Sequence, residues 1–265
     1  MAQQISPSGK WSLYGSADFE FLVAGHSHAA AILEAKLNNP EGPNLKSLAM
    51  CYTSDLNNGP PGDTEYWSFV AELAHGKDLV IIWNGNQHNA NFLFQTSPPF
   101  DLVHINAENE FVKHSSETRF ITRSMMEAFF EPSFAELKPI VASIAGARSI
   151  SLLPGPAPKP YSHIVSRISS EAFFVDIANS LGVRVEDLTI TSDSLRVQMW
   201  QILVDQLKQT SQELGINFIP VPTETIDQNG LLLETFWTPD VTHANSAYGL
   251  VLADHIVKYF AGGKL

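Results

Sequence analysis

The stretch Phe19-Glu20-Phe21-Leu22-Val23-Ala24-Gly25-His26-Ser27-His28, with Ala29 to about Leu37 behind it, decides the fold. Residues 19–24 are a largely apolar run of strand length, and Gly25 to His28 is a turn. The segment from Ala29 reads as a helix that stops before Asn38-Asn39-Pro40, where the proline would remove a helical N–H. A strand that passes through a short turn into a helix is the opening half of a βαβ unit.

The alternation continues outward from there. A strand is predicted over Leu45 to Tyr52, followed by an Asn-, Gly- and Pro-rich loop from Thr53 to Asp63 and a helix over Glu65 to Ala74. The run Leu79-Val80-Ile81-Ile82, within a strand Asp78 to Trp83, reads as buried on both faces, as in a parallel sheet. It ends at Asn84-Gly85-Asn86-Gln87-His88. From about 91 to 130 the period is lost, which predicts an insertion bordering the substrate. Its aromatic residues Phe92, Phe94, Phe100, Phe111, Phe129 and Phe130 either cover a substrate or pack the insertion on the body.

A helix Pro132 to Ala145 and a strand Arg148 to Leu153, cut off by Pro154-Gly155-Pro156-Ala157-Pro158, restore the pattern. Tyr161 to Leu181 reads as partly helical. A helix over Ser194 to Leu214, a short strand Asn217 to Val221 and a last helix Ser246 to Phe260 complete it; that last helix is expected to bury Leu250, Val251, Ile256, Val257 and Phe260. The predicted class is α/β, a three-layer α/β/α sandwich with a mostly parallel sheet. Residues 1–265 are read as one domain, since the length suits a single large core.

Composition narrows the function. The net charge of −12, without any Lys/Arg cluster, would repel a phosphate backbone, so nucleic acid is not an expected partner. No apolar run approaches the roughly 20 residues of a membrane span, so no membrane partner is expected either. Met1 to Lys10 lack the order of a secretory signal, and the expected location is cytoplasmic. The single cysteine, Cys51, excludes an internal disulfide framework and a Cys-rich zinc site, and its apolar surroundings predict a buried, inert thiol. Nothing in the sequence sets the oligomeric state.

Ligands of open parallel sheets bind beyond the carboxyl ends of the strands. That edge receives His26, Ser27 and His28 from the first strand, Asn57, Asn58 and Gly59 from the second, and Asn84, Asn86 and His88 from the third. The loop before the last helix adds Asp240-Val241-Thr242-His243. A serine hydroxyl becomes a nucleophile when an imidazole takes its proton, and the imidazole's other nitrogen needs an acceptor to fix its tautomer. Ser27, His243 and Asp240 fit those roles. Donors for an oxyanion are available from the backbone N–H of Ser27, the side chain of Asn86 and the backbone N–H of Gly59.

Four motifs in order, Gly25-His26-Ser27-His28, Asn57-Asn58-Gly59 with Gly62 beyond it, Asn84-Gly85-Asn86-Gln87 and Asp240-Val241-Thr242-His243, resemble those of the SGNH hydrolases, the GDSL-like lipases and esterases. The resemblance spans most of the chain. It implies a flavodoxin-like sandwich, Ser27 as nucleophile, Asp240 and His243 as the rest of the triad, and Gly59 and Asn86 completing the oxyanion hole with Ser27, Gly62 being a rival to Gly59. Two positions depart from the family: His26 stands where an Asp usually precedes the nucleophile, and Gln87 where an acidic residue commonly follows the Asn.

The expected activity is therefore hydrolysis of a carboxylic ester through an acyl-serine intermediate, with no cofactor or metal. By resemblance the substrate is a small-molecule or carbohydrate ester carrying a small acyl group such as acetyl, with His26, His28 and His88 lining its site. Three alternatives stay open: acyl transfer by the same triad, a metal hydrolase in which His26, His28 and His88 hold Zn²⁺, and a non-catalytic binding module on the same fold.

Overall fold

The computed structural model describes residues 2–6, 8–16, 18–25, 27–53, 64–83, 86–103 and 117–262. In chain order the strands and α-helices are β1 (Ala2–Ile5), β2 (Trp11–Gly15), β3 (Phe21–Gly25), α1 (Ala30–Asn38), α2 (Pro43–Lys46), β4 (Leu48–Thr53), α3 (Thr64–Leu73), β5 (Asp78–Ile82) and α4 (Gln87–Phe92). There follow β6 (Phe100–Leu102), β7 (Arg119–Ile121), α5 (Arg123–Ala135), α6 (Leu137–Ser143), β8 (Ser149–Leu153), α7 (Tyr161–Arg167), α8 (Ala172–Ser180), α9 (Asp193–Glu213), β9 (Asn217–Phe218) and α10 (Ser246–Phe260).

The main sheet has the order β1-β2-β4-β3-β5-β8-β9. From β4 to β9 all neighbours are parallel, while β1 pairs antiparallel with β2 and β2 antiparallel with β4. Among the parallel strands, β3 comes first in the chain and lies between β4 and β5, which is the flavodoxin-like order. The chain leaves β3 toward one side of the sheet and leaves β5 toward the other, so the topological switch point lies at the carboxyl ends of β3 and β5.

Strand periodicity divides the core into two layers. Leu22 and Ala24 of β3, with Leu79 and Ile81 of β5, pack against Tyr66, Val70, Leu137, Met199 and Leu203 from α3, α6 and α9. The intervening Phe21, Val23, Val80 and Ile82 face Ile32 of α1 and Leu252 and Ile256 of α10. The sandwich is thus α/β/α, as the alternation predicts. On the second face α10 lies directly on the backbone of α1: a Cβ at Gly249 would stand 1.9 Å from the carbonyl oxygen of Ala31. A third, smaller cluster gathers Leu93, Ile164, Phe174, Ala178 and Val241.

Several elements differ from expectation. The hairpin β1–β2 was not legible, because β1 is polar in sequence and β2 shows its inward face only as Trp11 and Leu13, 4% and 5% exposed. The strand expected from Leu45 begins at Leu48, since Pro43 at the first turn of α2 favours a short helix there. The helix expected to start at Pro132 is two helices, and Pro132 lies inside the first, α5. Met126, Phe130 and Phe134 keep their helical spacing across the proline and are all buried, and that burial outweighs one lost backbone hydrogen bond. Of the strand expected to reach Val221, Asn217 and Phe218 pair with β8, and the N–H of Ile219 donates to the Leu152 carbonyl at 2.9 Å.

Helix α10 has the predicted bounds; of the residues expected inward, Ile256 is buried and Val251, Val257 and Phe260 pack half-buried on the second layer, whereas Leu250 is 43% exposed and Tyr248, Gly249, Leu252 and Ala253 are buried besides. Between 91 and 130, β6 and β7 pair with each other in parallel and α5 begins. Phe92 touches Phe100, Phe129 and Phe130 there, whereas Phe111 lies outside the described residues. Cys51 is fully buried, and burial pushes its thiol well above the ordinary range. No helix among the described residues is long and apolar enough to cross a membrane.

Candidate active site

The turn that carries Ser27 is set by Gly25. Its φ of +137° is closed to other residues, and a Cβ there would lie 2.1 Å from the carbonyl oxygen of Ile82 in β5. The N–H of Gly25 donates to Tyr66 Oη at 2.9 Å, and the phenol in turn donates to the carbonyl of Cys51 at 3.0 Å. Tyr66 is fully buried, and burial raises its pKa, so the phenol keeps the proton it donates. One side chain of α3 thereby ties together the ends of β3 and β4. Ser27 opens a short 3₁₀ turn, Ser27–Ala29, that leads into α1; it is half-buried, and His28 beside it is buried.

The second half of the site lies before α10. Asp240 Oδ1 accepts the backbone N–H groups of Thr242 at 2.8 Å and His243 at 2.7 Å, while Oδ2 is 3.1 Å from His243 Nδ1. A carboxylate only accepts, so Nδ1 carries a proton, and in the neutral ring this leaves the lone pair on Nε2. Burial alone would raise the pKa of Asp240, but the hydrogen bonds from the ring and backbone of His243 and the backbone of Thr242 outweigh it and hold the carboxyl far below its usual range. The loop is anchored by Val241, 1% exposed in the third cluster, and by Asn245, which caps α10 by accepting from Ala247 and Tyr248.

These halves meet: the rings of His28 and His243 lie 5.2 Å apart, tilted by 47°. The turn of Ser27 therefore rests against the loop of His243, at the sheet's switch point. Asn86 reaches the same edge as the N-cap of α4, and its Oδ1 accepts from Asn89 Nδ2 at 3.0 Å, which turns its own amide N–H groups elsewhere. His88, in α4, is 1% exposed and offers a substrate no open surface. His26, Asn57, Asn58, Gly59, Gly62, Asn84 and Gly85 lie outside the described residues. Among the described residues, no group of three or more His, Cys, Asp or Glu is placed to hold a metal ion.

Sequence reasoning missed the groups behind Asp240. Lys159, whose side chain is wholly buried, donates to Thr238 and Asp240. His163 Nε2 is 2.9 Å from the Asp240 carbonyl, and Glu171 is close enough to feel the charge of Asp240. Burial, and then the charge of Asp240, raises the pKa of Glu171. The available signal was Lys159 itself, a lone cation among the prolines that follow β8.

The depressed pKa of Asp240 has a consequence for stability. The folded value lies below the unfolded one, so the contribution is fully present above about pH 3.9 and is lost as pH falls through the folded value. The stability gap between the wild type and Asp240→Asn, read from urea midpoints, should be full at pH 7 and shrink below about pH 3.9. A gap that stays constant down to pH 2 would show that the carboxylate is not held as described.

No protein-family model matches the chain, and no curated protein matches it. Among solved structures, an inferred acylhydrolase of Bacteroides fragilis NCTC 9343 is similar at 13% identity and a TM-score of 0.47, over 94% of this chain and 90% of that one. The enzyme LAE5, an alpha/beta hydrolase from the metagenome of Lake Arreo, Spain, is similar at 12% identity and a TM-score of 0.37, over 94% of this chain and 97% of that one. Likeness this distant assigns no activity to the chain.

Proposed function

We propose that the chain is an SGNH-type ester hydrolase that works through an acyl-serine intermediate, with Ser27 as nucleophile, His243 as general base and acid, and Asp240 as the group that orients His243. The observation that carries this reading is the Asp240–His243 pair, held at 3.1 Å with its ring against the residue after Ser27. Ser27 Oγ attacks the ester carbonyl as its proton passes to His243 Nε2. The tetrahedral oxyanion is met by the backbone N–H of Ser27 and the side-chain amide of Asn86, with Gly59 as the third donor by resemblance.

Collapse breaks the ester C–O bond, and the leaving alcohol takes the proton from His243. Water then attacks the acyl-serine and gives its proton to His243; the carboxylic acid leaves and Ser27 recovers its hydroxyl hydrogen. The preferred substrate is a small acyl group, such as acetyl, on a carbohydrate or related hydroxyl. Transfer to a second alcohol would use the same intermediate with a different acceptor.

A serine-directed fluorophosphonate tests the reading directly. The expected result is a single labelled peptide containing Ser27 and loss of labelling in Ser27→Ala. Ester hydrolysis that persists while the label attaches elsewhere, or nowhere, would replace this mechanism with another.

A further inference from the structure

We propose that Lys159 is a positioning residue for the Asp240–His243 pair, its ammonium fixing the loop from which both side chains project; the proposal rests on the serine-hydrolase reading above. Lys159 lies in Pro154-Gly155-Pro156-Ala157-Pro158-Lys159-Pro160, directly after β8 and buried from Pro154 through Lys159. Four prolines with fixed φ make this a stiff support, so the lysine arrives at the sheet edge with little backbone freedom. The support is pinned again by Arg196, a fully buried residue of α9 that donates through Nη1 to the Lys159 carbonyl at 2.8 Å, and by the N–H of Leu232, which donates to the Pro158 carbonyl at 2.9 Å.

The ammonium has three hydrogens and finds three acceptors, all on one loop: the Thr238 carbonyl at 3.0 Å, Thr238 Oγ1 at 2.9 Å and the Asp240 carbonyl. Asp240 Oδ1 lies 3.5 Å from Nζ. Thr238 Oγ1 passes the restraint onward by donating to the His243 carbonyl at 2.7 Å. The backbones of both Asp240 and His243 are therefore held through one cation. A loop staple alone would not call for a charge there, because burying an ammonium is costly and apolar replacements of buried ion pairs are often as stable.

The charged groups around Lys159 are Asp240 and Glu171, both opposite in sign; His163 shares the Asp240 carbonyl with it, His243 meets the other carboxylate oxygen of Asp240, and Arg196 holds the Lys159 carbonyl. Burial pushes the lysine down to about 8, against the pull of Asp240. The ammonium is thus present at neutral pH and lost on mild alkalinisation, when one donor and the charge disappear together. While present, it shares the Asp240 carboxylate with His243, Lys159 lying on the side of Oδ1 and His243 on that of Oδ2.

Three measurements on the whole protein test this. Lys159→Met should lower kcat by roughly 10- to 100-fold with KM within about twofold, because it misaligns groups without removing them. It should also loosen the loop, read by NMR as hydrogen exchange of the Thr242 and His243 amides faster by roughly 10-fold; this readout needs no catalysis and so stands even if Ser27→Ala retains activity and the serine reading fails. Wild-type kcat/KM should fall above about pH 8, an alkaline limb that Thr238→Val keeps at reduced rate and Lys159→Met lacks. A folded Lys159→Met protein with wild-type kcat and unchanged amide exchange at Thr242 and His243 would overturn the proposal. If that variant does not fold, a flat wild-type profile from pH 7 to 10 overturns it instead, and a limb near pH 8 retained by Thr238→Val supports it.

Discussion

Ser27→Ala and His243→Ala are each expected to lower kcat/KM on an activated acetyl ester by at least about 1,000-fold, and the double variant to lose little more than either single one. In the proposed mechanism both groups serve one proton transfer: without the imidazole the hydroxyl is a poor nucleophile, and without the hydroxyl the imidazole has no serine proton to take. Asp240→Asn should be milder than Ser27→Ala, since an amide at that position disturbs the tautomer and aim of His243 but leaves the nucleophile in place. Circular dichroism should show all of these variants folded, because Ser27, Asp240 and His243 are only partly buried and contribute little to the core. Near-wild-type turnover by folded Ser27→Ala would eliminate the acyl-serine mechanism. Multiplicative losses in the double variant would mean that Ser27 and His243 act in separate steps.

Gly25→Ala should have the largest effect on the fold of any single methyl addition near the site, about 3 kcal/mol or more. Two costs combine. The φ of +137° is a conformation that a side chain strongly disfavours, and the new Cβ would fall 2.1 Å from the Ile82 carbonyl, which belongs to the neighbouring central strand and has no flexible end to yield. Relief requires β3 and β5 to part where Gly25 faces Ile82 in the parallel ladder. The same shift would pull the Gly25 N–H from Tyr66 and misdirect Ser27, so fluorophosphonate labelling should fall along with the urea midpoint. A loss of under about 1 kcal/mol with labelling intact would mean that the turn is not built as described.

How legible these features were depends on how local their causes are. β5 was legible because Leu79-Val80-Ile81-Ile82 meets apolar layers on both faces and so advertises itself by composition. The ends of α10 were legible through its length and the cap at Asn245, but its buried face only in part, through Ile256 and the half-buried Val251, Val257 and Phe260. Hydropathy points to Leu250, whereas contact with α1 selects Gly249 and Ala253 for their small size. The motif around Ser27 and the Asp240–His243 spacing could be read because a strand end and a three-residue interval are short-range facts. Tyr66 and Lys159 could not, since each acts on a loop distant in sequence and looks in isolation like a core aromatic and a solvated cation. β1 and β2 escaped because β1 is polar and β2 buries Ser12 as fully as Trp11 and Leu13, so neither shows as an apolar run.

The contact of Gly249 with Ala31 also bears on how the molecule comes into being. Helix α1 follows the Ser27 turn and is synthesised early, whereas α10 follows His243 and emerges from the ribosome after every other described helix. Until α10 docks, Ile32 and its neighbours on α1 have no cover on that side. Closing this backbone-to-backbone joint seals the second core layer. That layer therefore stays open in a nascent chain until the last described helix has been made and settles on the first.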